Sequence, residues 1–218
     1  MRERPILFSG AMVRAIHDGR KVQTRRTVKP QPNEDGLCND SDPCPPFKRE
    51  WKGTCGNIWN CPYGQPGDRL WVREEHHITL RDPRSVSVRY LADGHICPEV
   101  TIGEREHGLF CARKKPGAVT RARFMWRCLS RITLEVVSVR VERLQRISEV
   151  DAISEGVAHR WNGMSGVIAD ITTRGWSAGE AASSAIPIFR LLWQSINGPD
   201  SWAQNPWVWV VEFRRVEK

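Results

Sequence analysis

Gly19-Arg20-Lys21-Val22-Gln23-Thr24-Arg25-Arg26 is the stretch on which the reading of this chain turns. It packs four cations and one hydroxyl into eight residues, directly after a segment with helical periodicity. A lysine near a hydroxyl and an arginine supports three kinds of chemistry. The ammonium holds a phosphate as a point charge or, when desolvated, loses its proton and serves as a base. Thr24 becomes a nucleophile once a base takes its proton. Arg26 grips an anion through two parallel hydrogen bonds. Geometry limits the combination. On a flat strand residues three apart face opposite ways, whereas a helical turn brings them together. A joint role for Lys21 and Thr24 therefore needs a turn or bulge between them. The plainer alternative is a solvated basic strand edge.

Working outward, the N-terminal side reads as an extended Pro5 to Phe8, then a helix capped by Ser9. Met12, Val13 and Ile16 recur at helical spacing, and Gly19 stops the helix. On the C-terminal side Val22 to Val28 reads as a strand that Pro30 and Pro32 end. Gly67-Asp68 turns the chain into a strand over 69–74, with Leu70 and Val72 alternating with Arg69, Trp71 and Arg73. Glu74 and Glu75 beside His76 and His77 read either as a metal or acid–base cluster, or as an acidic pair that is solvated or bound to arginines. Val86 to Leu91 alternates as a strand and turns at Asp93-Gly94. From His95 to Ala122 no period holds. Within it, Arg113-Lys114-Lys115 reads as an exposed loop, either a phosphate contact or a solubilising one.

Trp126 stands among Arg121, Arg123, Arg127 and Arg131. That interleaving suits a nucleic-acid surface, and equally an arginine stacked on a structural tryptophan. Ile132 to Leu144 is the most regular strand, with a shift of face near Val136-Val137 that predicts a bulge or bend. Ser148 caps a short helix that Gly156 closes, with Asp151 at the capping-box position. Glu155 sits in its last turn, against the negative end of the helix dipole. Pro187 lies in the first turn of a helix with Phe189, Leu192, Trp193 and Ile196 on one face, ended by Asn197-Gly198-Pro199. Trp207 to Arg214 is the last strand, apolar on both faces and so expected to be covered on both.

Composition sets the outer bounds. The chain has 218 residues, 40% of them hydrophobic, enough for one domain with a sizeable core. Its net charge of +8 favours polyanionic partners such as RNA, DNA or nucleotides. No apolar run approaches the roughly 18 residues of a membrane span. The first residues lack the pattern of a signal peptide, which points to the cytoplasm. The ten tryptophans show no repeat and read mainly as packing residues. Residues 33–66 and about 158–185 look like loop insertions. The first holds Cys38, Cys44, Cys55 and Cys61, separated by five, ten and five residues. Four thiolates suit a structural zinc, although knuckle spacing is usually about two to four residues. The alternative is a loop of unlinked thiols. No other cofactor is expected.

The opening stretch also resembles the signature of the ASCH family, Gly-x-Lys-x-x-(Glu/Thr)-x-Arg, with Gly19, Lys21, Thr24 and Arg26 in register. Further stretches resemble the longer phage and prophage type of ASCH protein. They are Arg4 to Ser9, Pro66 to Glu74, Ser130 to Leu134 with Val139 to Gln145, and Asn205 to Val210. The resemblance implies an α+β fold, a PUA-like β-barrel of about six strands flanked by two or three helices. It implies a single domain over 1–218, inside a bacterial host cell.

It also implies two functional classes. One is binding of RNA or a nucleotide in a basic cleft, for which Lys21, Arg25, Arg26, Arg73, Trp126 and Arg127 are the candidates. The other is an amidohydrolase, since some small bacterial ASCH proteins remove the acetyl group from acetylated cytidine. By that resemblance Lys21 is the base, Thr24 the nucleophile and Glu155 the proton donor. This chain is longer than those enzymes and has Arg25 where they have an apolar residue. A non-catalytic phage accessory or structural protein, using the fold for protein contacts, is the third reading.

Overall fold

A computed structural model describes residues 1–29, 31, 61–82, 84–113, 119–160, 167–169, 181–182 and 184–216. The described chain is α+β with mixed sheets. In chain order its elements are β1 (Glu3–Leu7), α1 (Gly10–His17), β2 (Gln23–Thr27), β3 (Arg69–Arg73), β4 (His76–Asp82), β5 (Ser85–Tyr90), β6 (Ile96–Thr101) and α2 (Glu104–Arg113). There follow β7 (Val119–Thr120), β8 (Thr133–Arg143), α3 (Glu149–Ser154), β9 (Ala158–Arg160), β10 (Val167–Ala169), β11 (Ala181–Ala182), α4 (Ala185–Asn197) and β12 (Trp207–Val216). They fall into two compact units. One comprises 1–18, 68–135 and 215–218, the other 19–67 and 136–214.

In the first unit β1 runs parallel to β3, from Glu3 opposite Arg69 to Leu7 opposite Arg73. β3 is antiparallel to the start of β8, with Leu70 opposite Leu134. The apolar positions of α1 repeat at three- to four-residue intervals, so Val13 and Ile16 are buried on one face together with Ala15. Ser9 holds the N-cap position, but its side chain makes no capping bond. A second sheet has the order β6-β5-β4-β7. Its core is Ile78, Val86, Val88, Tyr90, Ile102, Met125 and Leu129, with Cys97, Val100 and Trp126 packed against it.

Four of these elements, β4, β6, α2 and β7, are not evident in the sequence. β6 carries Pro98, and its pairing with β5 shifts register between Val86 and Val88. Both features break the period-two pattern, and a proline is tolerated there because β6 ends the strand order. Trp71 also departs from simple alternation, since it is buried beside Leu70 and Val72.

In the second unit β12 pairs antiparallel with β2, with Val211 opposite Thr24 and Trp209 opposite Arg26. The later part of β8 lies on the other side of β12, so β2 ends the order. Val208, Trp209, Val210, Val211 and Phe213 are all buried, as expected of a strand apolar on both faces. In β8 Val136 is buried and Val137 exposed, and the two units divide between Glu135 and Val136. β9, β10 and β11 form a small antiparallel sheet. The helix over α4 buries Phe189, Leu192 and Trp193, but Ile196, expected on the same face, is exposed in the last turn. The two expected insertions lie mostly outside the described residues.

Candidate functional site

Gly19 takes φ of +72°, a conformation open to glycine, and delivers the chain from α1 to Lys21. From Lys21 onward the backbone is extended. Lys21 forms an antiparallel bridge with Glu155, and the Val22 N–H donates to the Ser154 carbonyl at 3.0 Å. β2 then begins at Gln23. Alternation along this extended run sorts the side chains into two rows. Lys21, Gln23 and Arg25 form one row, and Val22, Thr24 and Arg26 the other.

The first row is closed. Lys21 Nζ donates to Glu155 Oε2 at 2.9 Å, to the Glu155 carbonyl at 2.8 Å and to the Gln23 carbonyl at 2.9 Å. These bonds use all three ammonium protons. Arg25 donates to Glu155 Oε1 at 3.3 Å, Glu142 Oε1 at 2.5 Å and Asp151 Oδ2 at 3.1 Å. Its guanidinium also lies 5.9 Å from the Phe189 ring centroid. Arg140 completes the cluster on Asp151 and Glu212. The side chains of Lys21 and Arg25 are 0% exposed and that of Glu155 3%. Glu155, at the C-cap of α3, therefore faces two cations that offset its conflict with the helix dipole.

Burial pushes the Lys21 ammonium below its usual pKa. The Glu155 charge and hydrogen bond act the other way, while Arg26 and Arg25 add to the lowering. Burial raises the Asp151 carboxyl, but Arg25, hydrogen bonds from Ser148 and Gln23, and Arg140 together hold it below its usual range.

The second row is more open at its ends. Val22 is 43% exposed and Arg26 half-buried, with Thr24 buried between them at 3%. Lys21 bridges to Glu155, and the pairing of β2 with β12 begins at Gln23. The structure joins Lys21 to Glu155, and the strand directs Thr24 to the row of Arg26.

Other sequence candidates fall in the first unit. Glu74 is buried and takes a bidentate pair from Arg131, with both bonds at 2.8 Å, so the acidic pair at this point is partly an arginine partner. Arg131 also binds Asp93 at 2.8 Å and lies 4.1 Å over the Tyr90 ring. Glu75 is exposed, and His76 is buried with Nδ1 2.9 Å from the Glu74 carbonyl. Arg73 covers Trp71 at 4.5 Å. Trp126 is half-buried against the core, and Arg127 pairs with Glu3 at 2.8 Å. Lys21 and Arg25 present no side-chain surface to a nucleic acid.

A cavity of about 320 Å³ in this unit is lined by Tyr90, His95, Cys97, Glu99, Cys128 and Arg131, among others. Its arginine is already committed to Glu74 and Asp93. Among the described residues no group of three or more His, Cys, Asp or Glu is arranged to hold a metal ion. Cys38, Cys44 and Cys55 lie outside the described residues, and Cys61 is half-buried.

Sequence reasoning missed Arg140, Glu142, Glu212 and Gln23 as members of the cluster. A signal existed, because charged residues at Arg140, Glu142 and Glu212 interrupt otherwise apolar strands. Comparison with family models, curated proteins and solved structures gives no match.

Proposed function

We propose that this protein is an ASCH-type protein of the phage and prophage kind, with a PUA-like fold, that binds RNA or a nucleotide beside Arg26. The observation that carries this reading is the division of β2 into two rows. One row is fastened by buried ion pairs to α3 and β8, which fixes the strand. The other puts Thr24 and the half-buried Arg26 on a rigid strand at the end of its sheet. A guanidinium held in place loses less freedom when it grips a phosphate. The net charge of +8 supports the same class of partner. A structural zinc on Cys38, Cys44, Cys55 and Cys61 belongs to this proposal, and metal analysis of the purified protein tests it. A salt-dependent binding titration of wild type and Arg26→Ala tests the binding itself.

One observation favours the amidohydrolase as a second reading. Lys21 and Glu155, 134 residues apart in sequence, meet at 2.9 Å. In that role Lys21 must give up a proton that three acceptors hold, and burial favours the neutral form. Thr24→Val distinguishes the readings better than Lys21→Ala, because it removes the hydroxyl without unpairing a buried carboxylate. The amidohydrolase reading predicts that deacetylation of acetylated cytidine, followed by chromatography, is lost in Thr24→Val. The binding reading predicts no turnover in wild type either.

A further inference from the structure

Phe124 is a large apolar side chain left 53% exposed on a segment otherwise pinned to the core. It ends a single 3-10 turn, Ala122–Phe124, which is anchored by buried Ala122 at its start and by buried Met125 just after it. The Arg123 guanidinium lies 4.8 Å over the Phe124 ring. Arg73 donates to the Arg123 carbonyl at 3.2 Å while its own guanidinium covers Trp71. Arg121, at the start of the turn, is exposed. Among the described residues none of Arg73, Arg121 and Arg123 is paired with a carboxylate. Nearby Arg127 and Arg131 both are. Among the described residues this part of the first unit therefore carries three cations without a carboxylate partner, two of them stacked on aromatic rings.

We propose that this face is a stacking platform for single-stranded nucleic acid. Phe124 takes an unpaired base, and Arg73, Arg121 and Arg123 meet the phosphates on either side. The charge argues for a polyanion. The exposed ring argues for a single strand, because a duplex stacks its bases on one another and offers no base face to a surface phenyl. The turn is fixed by Ala122 and Met125, so the ring is displayed before a ligand arrives. The inference rests on the nucleic-acid reading above, but uses different residues from those of β2.

The test is fluorescence anisotropy with a short labelled oligouridylate and an RNA hairpin, using wild type, Phe124→Ala and Arg123→Ala. Phe124 is exposed, so its replacement leaves the core intact, and circular dichroism checks the fold. Expected are tighter binding of the single strand than of the hairpin and a loss of about 5- to 100-fold in single-strand affinity for Phe124→Ala. Arg123→Ala is expected to reduce the salt slope by about 0.7. Unchanged single-strand affinity in Phe124→Ala, or an equal loss for hairpin and single strand, overturns the platform. If Arg26→Ala still weakens binding in that case, the nucleic-acid reading stands without it. No binding of either RNA overturns both. Self-association that Phe124→Ala abolishes, with no RNA bound, also overturns the platform and makes the face a protein contact.

Discussion

Lys21 and Arg25 are the residues whose surroundings most change their meaning. Both look like surface cations in the sequence, and both are buried in ion pairs. Such a cluster adds little stability relative to an apolar one, but removing one partner strands the rest. Glu155→Ala is therefore expected to cost about 3–5 kcal/mol, read as a lower urea midpoint. Asp151 supplies a pH prediction. Its folded pKa lies below its unfolded value, so its ion pairs contribute stability above about pH 4. That contribution is lost as pH falls through the folded pKa. Urea midpoints measured between neutral and acid pH should fall more steeply for wild type than for Asp151→Asn. Glu155 is legible as a candidate through resemblance and through its position against the negative end of the helix dipole. The other partners of Arg25, Glu142 and Asp151, are not, because they lie 117 and 126 residues from it in sequence. Phe124 is missed for a related reason. Size favours Trp126 as the stacking candidate, but Trp126 is half-buried against the core and Phe124 is exposed, a difference that the sequence pattern does not carry.

At the scale of elements, local chemistry is well matched to the fold where a segment has one buried face or two. β8, β12, α3 and α4 are legible because their apolar periods are long or their caps explicit, and β2 because Val22 and Val28 bracket it and Pro30 and Pro32 follow. Ser148 accepts from the Asp151 N–H at 3.1 Å, and Ser184 from the Ile186 N–H at 3.3 Å. Glu149 also accepts the Ala185 N–H at 2.7 Å, linking the start of α4 to α3. Ser148→Ala is expected to cost about 1 kcal/mol by thermal unfolding, with little change in nucleic-acid affinity. β4 and β6 are illegible for the opposite reason. The first begins with His76-His77, where titratable side chains invite a reading as a site. The second is half-exposed, with Pro98 and a register shift. The position of Ile196 shows the limit of periodicity at a helix end, where the last turn reaches past the core.

At the scale of the molecule, the α+β class and the positive net charge both follow from features spread over the chain. Alternating strands and capped helices give the class, and 33 basic against 25 acidic residues give the charge. Among the described residues no helix is long and apolar enough to cross a membrane. The separation into two compact units is not visible in the sequence, because β8 is one uninterrupted strand that serves both. Many of the cations are neutralised locally, as Arg25, Arg127, Arg131 and Arg140 show. Net charge alone therefore overstates the surface available to a polyanion, and the proposed binding is assigned to a few defined arginines. The most direct measurement is RNA affinity for wild type and Arg26→Ala over about 50–200 mM salt. The account predicts a linear fall of log K with log salt in wild type, and for Arg26→Ala weaker binding with a slope shallower by about 0.7 for the lost phosphate contact. Failure to bind RNA at the lowest salt, or identical affinities and slopes for the two proteins, contradicts it.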